Sequence, residues 1–262
     1  MELNFREMGQ GEPLLILHGL FGSSDNWMSL AKQLASSYHV FVIDLRNHGL
    51  SPHSDIWNYT EMANDIEDFC IQNNLQKIFI AGHSMGGKTV MKMAELFPTR
   101  INKMMVIDIA PRYYPVHHHQ ILSALKSIDF NEIITRKQAE EVLQNSISDF
   151  GTRQFLLKNI YWISENKLAW RFNLEVIARH IEIVGEATPV DVSKVCDIPV
   201  CFVKGQKSDY INLHDEQTIP IQYPNSEIIT IENAGHWVHA EQPAAMLNAI
   251  TEFFRIKTDI PK

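Results

Sequence analysis

Cysteine is scarce in this sequence: Cys70, Cys196 and Cys201 are an odd number and form no C-x-x-C pair. This excludes a disulfide framework and a cysteine-ligated zinc site, and it predicts reduced thiols in a cytoplasmic protein. Long apolar runs are also missing. The longest are short stretches such as Pro13–Leu17, far below a membrane span. The opening MELNFREMGQ carries charges and no apolar core, so it does not read as a secretory signal. Basic residues are outnumbered, 23 Lys and Arg against 31 Asp and Glu, for a net charge of −8. No basic face is left to neutralise phosphates, which excludes nucleic acid as a partner. H-E-x-x-H, P-loop and G-x-G-x-x-G patterns are absent, so no metal and no cofactor is expected. His117–His119 is the one compositional oddity. Adjacent histidines do not converge as i, i+4 ligands do, so they read as a solvated loop or helix start.

What is present is an alternation of two kinds of segment. Short, almost continuously apolar runs at Pro13–Leu17, His39–Asp44, Lys77–Ala81 and Lys103–Asp108 alternate with helical patterns near Trp27–Ser37, Tyr59–Asn73 and Gly87–Phe97. This predicts βαβ units and a mostly parallel central sheet with helices on both faces. Leu3–Met8 reads as an edge strand. Pro199–Lys204 and Ser226–Ile231 read as later strands, and Gln242–Phe254 as a closing helix. Between Pro111 and Cys196 no strand is predicted. Helical patterns fall at Gln120–Ile128, Arg136–Ser148 and Thr152–Ile160, with many large aromatic residues. The expected organisation is a core of residues 1–110 and 197–262 with a helical cap, residues 111–196, inserted over the sheet edge where such sheets bind ligands.

Gly82-His83-Ser84-Met85-Gly86 fits G-x-S-x-G, directly after one predicted strand and directly before a helix. That context is the one in which a serine is held at a strained strand-to-helix turn, with a helix N-terminus beneath the developing charge. Ser84 is therefore the expected nucleophile. An acyl-transfer site also needs two backbone N–H donors for the oxyanion. Met85 follows the nucleophile, and Leu20, in His18-Gly19-Leu20-Phe21-Gly22, is the expected second donor, with Phe21 as the alternative. His236, on the loop after the last strand, is the expected general base, in preference to nearby His239. The acid that orients it is Asp108, at the end of the Lys103–Asp108 strand, or alternatively Asp209; Ser208 is expected to support Asp108 or His236. His83 reads as a packing residue. Asp44 and Arg46 read as ties between loops. Phe21, Tyr113, Trp162 and Trp237 are candidates to line a substrate pocket, and Arg171 either binds an anionic group or bridges cap and core.

Taken in order, HGLFGSSDNW, DLRNHGLS, GHSMGGK, IDIAPRYY, WRFN and AGHWVHAE closely resemble the YbfF-type bacterial esterases of the α/β-hydrolase fold, from about Leu3 to Phe254. The likeness is looser between Pro115 and Lys167. The resemblance implies a small cytoplasmic carboxylesterase with a helical lid. It implies action on small or medium acyl esters, with acyl-CoA thioesters as a further class. It also carries the nucleophile to Ser84, the base to His236 and the acid to Asp108, with Ser208 beside them; Asp209 keeps the alternative open. Other functions fit the same residues. The triad could serve carbon–carbon bond hydrolysis or a lyase step, a perhydrolase side activity is compatible with it, and a non-catalytic ligand receptor could use the same scaffold.

Overall fold

The computed structural model describes residues 1–165, 167–188 and 194–255. The chain runs through β1 (Phe5–Met8), β2 (Pro13–Leu17), β3 (His39–Ile43), β4 (Ile78–His83) and β5 (Ile101–Ile107). It continues through β6 (Ile160–Ser164) and β7 (Lys167–Trp170), then β8 (Val200–Gly205) and β9 (Ser226–Ile231). Seven of these form one sheet in the order β1-β3-β2-β4-β5-β8-β9. Only β1 is antiparallel to its neighbour; β2/β3, β2/β4, β4/β5, β5/β8 and β8/β9 pair in parallel.

The continuous apolar runs have a simple cause. Successive side chains of a strand point to opposite faces, and both faces here are covered. Leu15, Leu17, Phe41, Ile43, Ile80, Met104, Val106 and Phe202 pack into one hydrophobic cluster, while the alternate residues Leu14, Ile16, Val40, Val42, Ala81, Met105, Ile107 and Val203 pack into another. Helices α1 (Met28–Leu34), α2 (Tyr59–Gln72) and α3 (Met85–Leu96) follow β2, β3 and β4. Ile66 of α2 and Val90 of α3 join the first cluster, whereas Leu30 and Leu34 of α1 join the second.

Between β5 and β8 lie α4 (His119–Lys126), α5 (Arg136–Gln144), α6 (Phe150–Leu157) and α7 (Leu174–Arg179). The remaining helices are α8 (Leu213–Gln222) before β9, then α9 (Val238–Glu241) and α10 (Pro243–Phe254) after it. The expectation of a strandless insert is corrected: β6 and β7 form an antiparallel hairpin within it, pairing Ile160 with Trp170 and Trp162 with Leu168. The helix expected over Thr152–Ile160 ends at Leu157, and the β-branched and aromatic run Ile160-Tyr161-Trp162-Ile163 goes into β6 instead. Its helical period is too short to compete with a strand partner, Lys167–Trp170, that follows closely enough to close a hairpin.

Behind the sheet edge, the Asp44–Ser51 loop is held by its own charges. Arg46 makes a bidentate contact to Asp65 of α2, with Nε at 2.5 Å and Nη2 at 2.9 Å. Asp44 accepts from the backbone N–H of Ser24 and Leu50 and from the Asn4 amide.

Two buried imidazoles make stability depend on pH. His48 donates its Nδ1 proton to the Arg46 carbonyl, and its buried Nε2 has no partner. Burial, reinforced by His18, holds it down at about 3. His239 stacks on Trp27 at 4.3 Å, and burial, reinforced by His236, holds it at about 3 as well. An unfolded chain takes up these protons near pH 6.5 and the folded chain does not, so acid favours the unfolded state. Between pH 6.5 and 5 each imidazole should remove stability with a slope that rises to about 1.4 kcal/mol per pH unit. Thermal unfolding at pH 7 and pH 5 should therefore show a lower midpoint at pH 5, with a shallower dependence in His48→Gln. A midpoint independent of pH across this window would contradict the neutral, buried state of both rings.

Candidate active site

Ser84 sits between β4 and α3 with φ 52° and ψ −114°. An L-residue reaches this conformation only under constraint. The constraint is close packing: a Cβ at Gly82 would lie 2.3 Å from the Gly86 carbonyl oxygen, and one at Gly86 would lie 2.6 Å from that of Leu17. Only glycine lets strand and helix approach so closely on either side of the serine. The Ser84 N–H donates to the Ile107 carbonyl at 2.9 Å, which anchors the turn to β5.

Ser84 Oγ lies 3.1 Å from Nε2 of His236, which is on the loop after β9. Nδ1 of the same ring lies 2.7 Å from Oδ2 of Asp108. A carboxylate can only accept from Nδ1–H, so a neutral His236 presents the lone pair of Nε2 to the serine hydroxyl. Asp108 ends β5, is fully buried and also has a positive φ, 51°. It accepts from the Gly205 N–H at 2.9 Å and from the Ser208 hydroxyl. Asp209 is exposed on the same loop and is not brought to His236. Its neighbour Tyr210 is: the ring stacks on His236 with centroids 4.0 Å apart. Nε2 of His83 donates to the His236 carbonyl at 2.8 Å, so the residue before the serine holds the histidine loop in place. Burial, reinforced by His236 and His239, keeps His83 neutral with a pKa well below the ordinary value.

The loop after β2 passes over the same point. His18 accepts the Leu45 N–H at Nε2 and donates from Nδ1 to the Gly19 carbonyl, which makes it a neutral strut. Phe21 has φ 58°, and Gly22 N–H closes the turn on the Gly19 carbonyl. Among the described residues, no acceptor in the chain is recorded for the backbone N–H groups of Leu20, Phe21 and Met85. Among the described residues, three of the six non-glycine residues with positive φ, namely Phe21, Ser84 and Asp108, are gathered here, so backbone strain concentrates at this site.

A cavity of about 250 Å³ opens above the serine. Leu20, Phe21 and Trp237 line it from the core, and His118, Phe155 and Leu156 line it from the insert. Of the expected pocket residues, Phe21 and Trp237 are therefore in place. Tyr113, Trp162 and Arg171 do not line this cavity. Tyr113 and Trp162 are more than half exposed, and Arg171 is turned toward Asp25, with Nη1 3.7 Å from its carboxylate, bridging insert and core. His117 and His119 are exposed, as a solvated helix start requires, whereas His118 is partly buried; His117 and His118 both line the cavity, and His117 reaches the Tyr210 hydroxyl at 3.3 Å. Their placement depends on where the insert leaves the core, which periodicity does not encode.

The sequence pattern of the α/β hydrolase fold family matches residues 12–154. Esterase YbfF of Escherichia coli (strain K12) is 37% identical over 97% of this chain and 99% of its own length. The sn-1-specific diacylglycerol lipase ABHD11 of Mus musculus is 34% identical, covering 92% of this chain and 80% of that protein. The solved structure of a marine microorganism esterase superposes with a TM-score of 0.92 at 42% identity, over 96% of this chain and 99% of that one. The sheet order, the serine at its strand-to-helix turn and this coverage agree: the chain belongs to the α/β hydrolase fold family.

Proposed function

We propose that this chain is a serine esterase that cleaves small or medium acyl esters through an acyl-enzyme on Ser84. The observation that carries the reading is the unbroken hydrogen-bonded line from Ser84 Oγ through His236 to Asp108, at 3.1 and 2.7 Å. Ser84 attacks the acyl carbonyl while Nε2 of His236 takes its proton, and Asp108 stabilises the imidazolium. The N–H groups of Met85 and Leu20 receive the negative charge on the carbonyl oxygen. His236 then protonates the leaving alcohol, and in a second half-reaction it activates water against the acyl-enzyme. Ser208 donates to Oδ2 of Asp108, the oxygen that also faces Nδ1 of His236, while the Gly205 N–H holds Oδ1. The helical block between β5 and β8 acts as a cap, and its Phe155 and Leu156 offer an apolar wall to the acyl group.

An acyl-CoA thioester would pass through the same steps, with a thiol as leaving group. No described helix is long and apolar enough to cross a membrane, and Cys70, Cys196 and Cys201 are free. We place the enzyme in the cytoplasm, where such thiols persist.

A substrate panel tests the reading: p-nitrophenyl esters from acetate to laurate, the matching acyl-CoAs, and a β-diketone. The expected result is turnover of the short and medium esters, with kcat/KM falling for the longest chain. Hydrolysis of the β-diketone alone, with no ester or thioester cleaved, would replace the esterase by a carbon–carbon hydrolase.

A further inference from the structure

Lys88 lies one turn beyond the nucleophile on α3, its N–H donating to the Ser84 carbonyl at 3.0 Å. It is fully buried, and among the described residues no carboxylate pairs with its ammonium. Instead Nζ donates to three backbone carbonyls: Arg112 at 2.6 Å, Glu186 at 2.7 Å and Pro111 at 3.3 Å. Pro111 and Arg112 begin the insert and Glu186 lies near its return. The two stalks also bond to each other, Tyr114 N–H to the Gly185 carbonyl and Thr188 N–H to that of Pro111, both at 2.8 Å. The Tyr114 ring lies under the ammonium, 5.1 Å from it. The Tyr114 hydroxyl accepts from the Ala110 N–H and donates to the carbonyl of Tyr210, whose ring stacks on His236.

A buried cation is costly unless its surroundings need it. Here the need is explicit, because three backbone carbonyls from two separate segments converge on one point. Burial, reinforced by Arg112 and opposed by Asp215 and Glu186, brings the Lys88 ammonium down to about 7.

We propose that Lys88 is a positioning residue: its ammonium clamps both stalks of the insert to the helix that carries Ser84, and so sets the distance between the cap wall and the nucleophile. The inference rests on the esterase reading and deepens it. His118, Phe155 and Leu156 ride on the clamped segment, whereas Ser84, His236 and Asp108 stand on the core strands. Loosening the clamp therefore moves the wall that holds the acyl chain and leaves the reacting groups in place.

Lys88→Met keeps the length and removes every donor, so the carbonyls must find water by shifting the stalks. The expected result is a KM for p-nitrophenyl octanoate raised about tenfold, with kcat and the acetate KM changed by less than about threefold. Limited trypsin digestion should cut residues 111–188 faster than in the wild type. A folded Lys88→Met with wild-type octanoate KM and wild-type protection would overturn the proposal. So would equal loss of kcat on both esters with the insert still protected. If this variant does not fold, Gly185→Ala decides: its Cβ would meet the Tyr114 carbonyl oxygen at 2.1 Å and force the stalks apart without touching Lys88. Raised octanoate KM and faster cleavage support the clamp, and unchanged values of both overturn it. Digestion needs no turnover, so a wild type without esterase activity would defeat the functional reading while the clamp is still judged by protection.

Discussion

Ser84→Ala should reduce ester turnover by about a millionfold, to the residual level supplied by oxyanion donors and binding alone. The size of the effect follows from how little else at the site could attack a carbonyl. Ser84 Oγ is the hydroxyl set against Nε2 of His236, while Ser208 is committed to Asp108 on the other side of the ring. The fold should survive the change, since the hydroxyl has no bonded partner beyond His236 and the tight packing around the turn is made by Gly82 and Gly86. Stopped-flow measurement with p-nitrophenyl acetate, together with the intact mass of the quenched enzyme, reads the result. The wild type should give a burst and an acetylated chain, and the variant neither. A variant that still turns over within about tenfold of wild type would remove Ser84 from the nucleophile's role.

Asp108→Asn should lower kcat by about ten-thousandfold, whereas Asp209→Asn should stay within about twofold of wild type. The two aspartates compete for one role on paper but occupy opposite environments. Asp108 is buried beneath His236 and accepts from Gly205, Ser208 and Nδ1. An asparagine there offers an NH2 group to one of these donors and favours the wrong tautomer of the imidazole. Asp209 is exposed to solvent and holds nothing at the site. Steady-state kinetics of the two variants on one ester decides the matter. A large loss in Asp209→Asn with a near-normal Asp108→Asn would mean that the loop after β8 swings inward during catalysis and that the resting arrangement is not the reactive one.

The parts of this molecule that sequence reveals are those governed by short-range rules. The parallel strands are legible because burial on both faces removes polar residues from them, and Ser84 because its turn demands glycines at fixed offsets. His236 is legible by its place between the last strand and the last helices. Asp108 ranks above Asp209 from its place at a strand end and from the family resemblance, since a carboxylate one or two residues along a loop looks the same in one dimension. The hairpin of β6 and β7 was hidden because each strand is short and its partner, not its own pattern, decides between strand and helix. Tyr210 stacked on His236, His118 in the cavity wall and the carbonyls around Lys88 depend on long-range folding of the insert, and no local period records them. The positive φ of Phe21 was equally out of reach, because a phenylalanine does not announce a left-handed turn.

The insert departs and returns at nearly one spot, Pro111 and Thr188 being joined by a single backbone hydrogen bond. A segment whose two ends lie this close together can be lengthened or shortened at small cost in chain closure, because that cost grows only slowly with length. Descendants of this scaffold can thus change diet without rebuilding the hearth.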